Sequence, residues 1–393
     1  MLRNVLDVDV AAHKISATSH AGGILPLDVA SAFPSLDHSF LWDMLLAFGL
    51  PDTFVKAIKM FYRNNQHFIR IGEVVFESIF VRSGVRQGCP LSPLLFAICS
   101  DLILRRVLSL LRGHEVVCAF ADDTALVIQN WTVAFPCLCS LFDEFQKISA
   151  LRLNIHKTVF IPLWKCNSFD NLRILIRERS PMWRDIKIAN TGRYLGYFVG
   201  PGSAFLSWQA PMRKFLDRAT FWCSLPLGLF WNLAAYHSLI LSVLSFVAQL
   251  ENDPPDLTAN FDLVRRKIAP GPANWISTDD LANLSQVFSF PVSLRIPRVV
   301  FLASKLRVIE TIATDCRDRC TELASLEDAY LQGPFGQWHF NSFFAVLAKA
   351  EDTLRSLGIT RASVRRSMHQ HSCASFQKQA ERIIAVCRHY SAY

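Results

Sequence analysis

The chain lacks the paired thiols that frame most small zinc and redox sites. Its 11 cysteines are odd in number and scattered, with no Cys-x-x-Cys pair, which points to buried thiols in a reducing compartment. Cys316 and Cys320 share a helix face and His369, His371 and Cys373 cluster later, yet that spacing fits no standard structural zinc site. The N-terminus lacks the apolar core of a signal peptide, because Asp7 and Asp9 fall inside it, so no secretory targeting is indicated. There is no internal repeat. Charge is sparse as well: 19% of residues are charged against 51% hydrophobic, a balance that argues against global disorder. It is sparsest between Arg218 and Glu251, where no Asp, Glu, Lys or Arg occurs. Ser224 to Leu250 is long enough to span a membrane. Pro226, Gly228, Asn232, His237 and Gln249 interrupt it, however, and no tight basic cluster flanks it. The expectation is therefore buried helices, broken near Pro226 and Gly228, and no membrane partner.

What is present begins with 393 residues, enough for two or three domains and a sizeable core. Lys and Arg number 41 against 33 Asp and Glu, giving +8 and a pI near 9.0. That suits a polyanionic partner without proving one.

The chain is organised around Val117-Cys118-Ala119-Phe120-Ala121-Asp122-Asp123-Thr124-Ala125-Leu126-Val127-Ile128. Apolar runs on both sides of two adjacent acids read as a β-hairpin with carboxylates at its turn. Neighbouring carboxylates repel, and a divalent cation with hard oxygen ligands resolves the conflict. Taken alone, the tripeptide Ala-Asp-Asp reads more readily as a solvated acidic turn, since such tripeptides are common; the neighbouring blocks shift that balance. Further upstream, Leu27-Asp28-Val29-Ala30-Ser31-Ala32-Phe33 places Asp28 at the end of a short apolar segment, and Ser35-Leu36-Asp37-His38 looks like a helix start. Between the acids lies Gly84-Val85-Arg86-Gln87-Gly88-Cys89-Pro90-Leu91-Ser92-Pro93, a glycine-rich loop with proline opening the helix behind it.

These three blocks, in this order, resemble the palm of reverse transcriptases of the non-LTR (LINE-type) retrotransposon family. The resemblance runs from about Gly22 to Gly202 and continues weakly beyond. It implies an α+β fold: a polymerase palm with a twisted antiparallel sheet and helices on one face, followed by a helical thumb and a helical C-terminal region. It also implies RNA-directed DNA polymerisation by two Mg²⁺ ions, with Mn²⁺ as an alternative. RNA template, DNA primer and deoxynucleoside triphosphates are the implied partners, and a nuclear or cytoplasmic intracellular ribonucleoprotein the implied setting. By the same resemblance Asp28 and Asp122 bridge the metals and Asp123 supports them. Lys157 lies near the departing pyrophosphate, where it serves as a general acid, or is a surface lysine before a strand. The Val29 backbone, Phe33, Arg86, Gln87 and Gly88 line the nucleotide, with Phe33 set against a 2′-hydroxyl or simply a core residue. Leu195 and Gly196 form a primer-gripping turn.

Along the chain, residues 1–21 show no strong period and read as a remnant before the palm, with most of the family's fingers region absent; weak extension is expected for that reason. The palm covers 22–202, thumb-like helices 203–251, and a helical region of unknown role 252–393. Helices are expected from His38 to Leu50, Pro51 to Tyr62, Leu91 to Leu111 and Pro136 to Ile148. A hairpin is expected at Phe68–Glu77. Arg265-Arg266-Lys267 beside Trp275 suits a nucleic acid or a solvated helix end. A non-catalytic nucleic-acid-binding remnant of the same fold is the alternative reading. The test of the polymerase reading is whether Asp28, Asp122 and Asp123 converge at one end of the sheet.

Overall fold

The computed structural model describes all residues except 64, 167, 204, 274, 313–315, 332–341, 371–374 and 388–393. The chain enters through a helix that the sequence pattern conceals, α1 (Leu2–Thr18). Then come β1 (Gly23–Leu27), β2 (Val29–Ala30), a short α2 (Ala32–Ser35), α3 (His38–Ala47) and α4 (Asp52–Tyr62). A ribbon, β3 (Gln66–Ile71) and β4 (Val74–Phe80), leads to the long α5 (Ser92–Leu110). The acid hairpin is β5 (Val116–Phe120) with β6 (Asp123–Ile128), followed by α6 (Trp131–Ser149), β7 (Arg152–Leu153), β8 (Val159–Pro162) and α7 (Phe169–Arg179). β9 (Lys187–Ile188), β10 (Gly192–Tyr194) and β11 (Tyr197–Val199) close the strand-bearing part.

The remaining described elements are helical. They comprise α8 (Leu206–Cys223), α9 (Gly228–Ala235), α10 (Leu257–Ile268), α11 (Thr278–Ala282), α12 (Leu284–Val287), α13 (Pro297–Ile312), α14 (Cys316–Leu331), α15 (Phe343–Ser356), α16 (Arg361–Gln370) and α17 (Phe376–Val386). Most sequence-expected boundaries hold to within a residue or two. α3 stops three residues short of Leu50, and α6 starts five residues before Pro136, because Asn130 caps it by accepting from the Thr132 N–H at 3.0 Å.

The central sheet runs in the order β5-β6-β1-β8-β9 and is antiparallel except for the β8–β9 pair. Strand side chains alternate between faces, so β1 and β6 each feed two cores. Leu25, Leu27, Leu126 and Ile128 point to one side, where Leu41 and Leu45 of α3, Phe96 of α5 and Phe135 of α6 pack. These are the helices expected on one face. Ile24, Ala125 and Val127 point to the other, and that face is covered too, by α1 and by residues of α14 and α15. Every residue of β1 is buried as a result.

Double coverage also explains why α1 shows no helical stripe. It buries Val5, Leu6, Val8, Ala11, Ala12, His13, Ile15 and Ser16, too broad an arc for one narrow apolar face. Burial holds the His13 imidazole far below its ordinary value, at about 3. A histidine whose folded pKa is depressed contributes stability that is complete above its unfolded pKa of about 6.5 and lost as pH falls toward 3. Between pH 6.5 and 5 this amounts to about 2 kcal/mol. Urea unfolding at pH 7 and pH 5 should show His13→Leu losing about that much less stability on acidification than the parent chain.

Ser224–Leu250 is not one straight helix. α9 starts at Gly228 and passes into a π-turn (Tyr236–Ile240) and two 3₁₀ turns (Leu241–Val243 and Val247–Gln249). Leu233, Tyr236, Ile240, Leu244 and Val247 pack against Phe215 of α8, Phe261 of α10 and Phe301 of α13. Among the described residues no helix is long and apolar enough to cross a membrane.

Candidate active site

The β5–β6 turn is two residues long, since Phe120 pairs with Asp123. Ala121, its first residue, takes a φ of +56°, which tight hairpin turns require and which only glycine adopts freely. Asp122 therefore stands in the turn and Asp123 opens β6, both exposed. β1 lies beside β6 with Leu27 opposite Thr124. Asp28 and the Asp122–Asp123 turn lie just beyond that last pair. At Asp28 the chain leaves the sheet for β2, which pairs with β7, and the Asn154 N–H donates to the Asp28 carbonyl at 2.8 Å.

The Asp123 carboxyl feels the charge of the other two acids. The Asp123 carboxyl is raised above its ordinary value, first by burial of its surroundings, then by the charges of Asp122 and Asp28. Arg193 of β10 opposes that shift. Lys157, in the turn between β7 and β8, holds its Nζ 3.8 Å from an Asp28 carboxylate oxygen. Asp28 and the Asp122–Asp123 turn lie at the same end of the sheet, but among the described residues no group of three or more His, Cys, Asp or Glu is gathered closely enough to hold an ion, so the carboxylates are not drawn to one common point. An all-oxygen donor set whose mutual repulsion Lys157 and Arg193 relieve in part suits a hard divalent cation. The cysteine–histidine candidate has no such support: Cys316, Cys320 and His369 are described, whereas His371 and Cys373 lie outside the described residues.

The glycine-rich loop is laced to the segment after Asp28. Gly84 N–H donates to the Leu36 carbonyl at 2.7 Å, Val85 N–H to the Phe33 carbonyl at 2.8 Å, and His38 Nε2 lies 2.8 Å from the Gly84 carbonyl. Gln87 and Gly88 remain exposed beyond the lacing. Phe33 is half-buried and stacks on Phe96 with centroids 4.9 Å apart. Arg86 donates to the Phe61 carbonyl at the end of α4 and to Asn65 Oδ1 at 3.0 Å, and lies over the Tyr62 ring. These contacts tie the loop to α4.

Leu195 and Gly196 form the β10–β11 turn, with φ of +46° and +89°. This hairpin sits close to the acids because the Tyr194 hydroxyl donates to the Cys118 carbonyl of β5 at 2.9 Å. Sequence reasoning missed two contributors. Arg193 carried a signal, being a cation between buried Gly192 and Tyr194 in an alternating strand. Asn4 carried none; its amide donates to the Ala119 carbonyl at 2.8 Å and ties α1 to the acid hairpin.

With this geometry in view, comparison with known proteins becomes specific. The profile of the family "Reverse transcriptase (RNA-dependent DNA polymerase)" matches residues 1–199, just over half of the chain. The chain belongs to that family. Its relatives are of the non-LTR kind. It is 33% identical over 139 residues to the Pol polyprotein of the R2DM retrotransposable element of Drosophila melanogaster, covering 34% of this chain and 13% of that protein. It is 28% identical over 200 residues to an R2 Pol polyprotein of Popillia japonica, covering 46% and 27%. With a 149 kDa protein of transposon TX1 from Xenopus laevis it shares 30% identity over 135 residues, covering 32% and 10%. The matched segments are thus a minor part of these longer proteins. Apo telomerase from Candida tropicalis aligns over 98% of this chain and 57% of its own, with 13% identity and a TM-score of 0.42.

Proposed function

We propose that this chain transfers a nucleotide from a deoxynucleoside triphosphate to a primer 3′-hydroxyl on an RNA template. The observation that carries the reading is the pairing of Leu27 with Thr124, which leaves Asp28 and the Asp122–Asp123 turn just beyond the last pair at the same end of the sheet, inside the family-matching segment. Asp28 and Asp122 would hold two Mg²⁺ ions, or Mn²⁺, with Asp123 in support and the Val29 backbone on the phosphate side. Bound there, the ions would neutralise phosphate charge and favour the deprotonated primer hydroxyl. The chain's own groups do the rest. Lys157, beside Asp28, protonates the departing pyrophosphate. Phe33, stacked on Phe96, closes the space a 2′-hydroxyl needs. Gln87 and Gly88 border the nucleotide and template, and the Leu195–Gly196 turn holds the primer end. On this reading residues 22–202 act as palm, 203–251 as thumb and 252–393 as an accessory helical region.

Primer extension on poly(rA) annealed to oligo(dT), with magnesium and dTTP, tests the proposal. The hybrid should be bound with an affinity that falls steeply as salt rises, since basic side chains displace counterions from phosphates. Extension should be slow, because Lys157 and Arg193 are the cations beside the acids while Arg86 is committed to α4. Salt-sensitive binding without any extension would favour the non-catalytic reading, towards which the ungathered carboxylates lean. No binding at all would end both.

A further inference from the structure

Among the described residues the β10–β11 hairpin is a two-stranded sheet, its strands pairing with each other and with no wider sheet. Its position is set from two sides. Toward the acids, the Tyr194 hydroxyl donates to Cys118 of β5. Toward the helical half, the Tyr197 hydroxyl donates to the Phe246 carbonyl at 2.5 Å, and the Phe246 ring packs so closely that a Cβ on Gly196 would come within 2.7 Å of it. A third tie is polar and buried. The Phe198 N–H donates to Ser207 Oγ at 3.0 Å, and the Ser207 hydroxyl pulls the Glu251 carboxyl back down against the burial that raises it. Glu251 is 2% exposed and Ser207 4%. Lys305 of α13, 5% exposed, faces this carboxylate and reaches Asp253 at 3.1 Å. The network joins the hairpin to the start of α8, to the 251–253 segment and to α13.

Burying an acid and a lysine is costly, and hydrophobic residues of like volume often stabilise as well or better. Stability alone therefore does not account for the cluster. What a directional network supplies is one fixed relation between the elements it joins.

We propose that Glu251 and Ser207 are positioning residues: through the Phe198 amide they hold the β10–β11 hairpin in one place between the helical half and the acid hairpin. The inference rests on the proposed primer-holding role of Leu195–Gly196. A mobile hairpin would carry Arg193 away from Asp123 and let the primer end leave. Ser207→Ala removes the acceptor for Phe198 and the group that pulls Glu251 down, while Ser207→Thr keeps the hydroxyl.

Two measurements on the full chain separate this from a general loss of stability. Hydrogen exchange should quicken about tenfold across 192–199 in Ser207→Ala, the loss of one buried hydrogen bond, while 116–128 and α13 stay protected. The dissociation rate of the oligo(dT)–poly(rA) hybrid should rise by a similar factor, with Ser207→Thr restoring both. Faster exchange throughout α8 and α13 with an unchanged dissociation rate would overturn the inference and leave a merely structural role. So would protection of 192–199 equal to that of the parent. Failure of the unsubstituted chain to bind the hybrid would instead remove the primer-holding reading, and this inference with it.

Discussion

Asp122→Asn should lower primer extension about a thousandfold, the scale on which removal of a main electrostatic contributor slows phosphoryl or acyl transfer. The residue is exposed in a two-residue turn, so the fold should be unaffected. An amide of the same shape removes the negative charge a cation needs and little else. Hybrid binding should be unchanged or slightly tighter, because one repelling charge beside the primer is gone. Extension that survives in Asp122→Asn would place the chemistry elsewhere or reveal a contaminating polymerase.

The second large effect concerns the loop, and it separates two causes by comparing two glycines. Gly84 has a φ of +80°, and a Cβ there would stand 2.6 Å from the Phe33 carbonyl and closer still to that of Pro34. Gly84→Ala combines left-handed strain with a collision against backbone that cannot rotate away, together costing about 3 kcal/mol in urea unfolding. Gly88 has a similar φ, +84°, but nothing within 4 Å of its Cβ position. Gly88→Ala should cost about 1 kcal/mol, the conformational part alone. Equal losses at the two sites would show that the lacing between residues 33–38 and 84–85 does not constrain the loop.

Much of this was legible before any coordinates. Asp28, the Asp122–Asp123 turn and the Gly84–Pro90 loop were recognisable because each is local: a strand end, a hairpin and a turn before a helix carry their own signals. The Asp37 helix start is another, with Oδ1 accepting the Phe40 N–H at 2.9 Å. What the sequence hid is relational. α1 lost its period because a sheet face and later helices cover it together. The second covered face of the sheet depends on residues some 300 positions away, such as Phe343 and Leu347. The contact of the Arg86 guanidinium with the open carbonyl at the end of α4 is relational too, since no pattern in the loop foretells it. Arg193 comes near enough to act on Asp123 because its hairpin is pinned to β5 through Tyr194 and to the helical half through Tyr197.

The central claim is that Asp28, Asp122 and Asp123 form one divalent-cation site, and electron paramagnetic resonance of Mn²⁺ tests it most directly. Mn²⁺ is titrated into the chain bound to primer–template, without nucleotide, and into its Asp28→Asn and Asp122→Asn variants. Saturable binding in the parent that is lost in both variants, with their folding and hybrid binding intact, is the predicted result. The two residues come from strands 94 positions apart, so a shared loss would report one site. Binding that persists equally in either variant would contradict the claim.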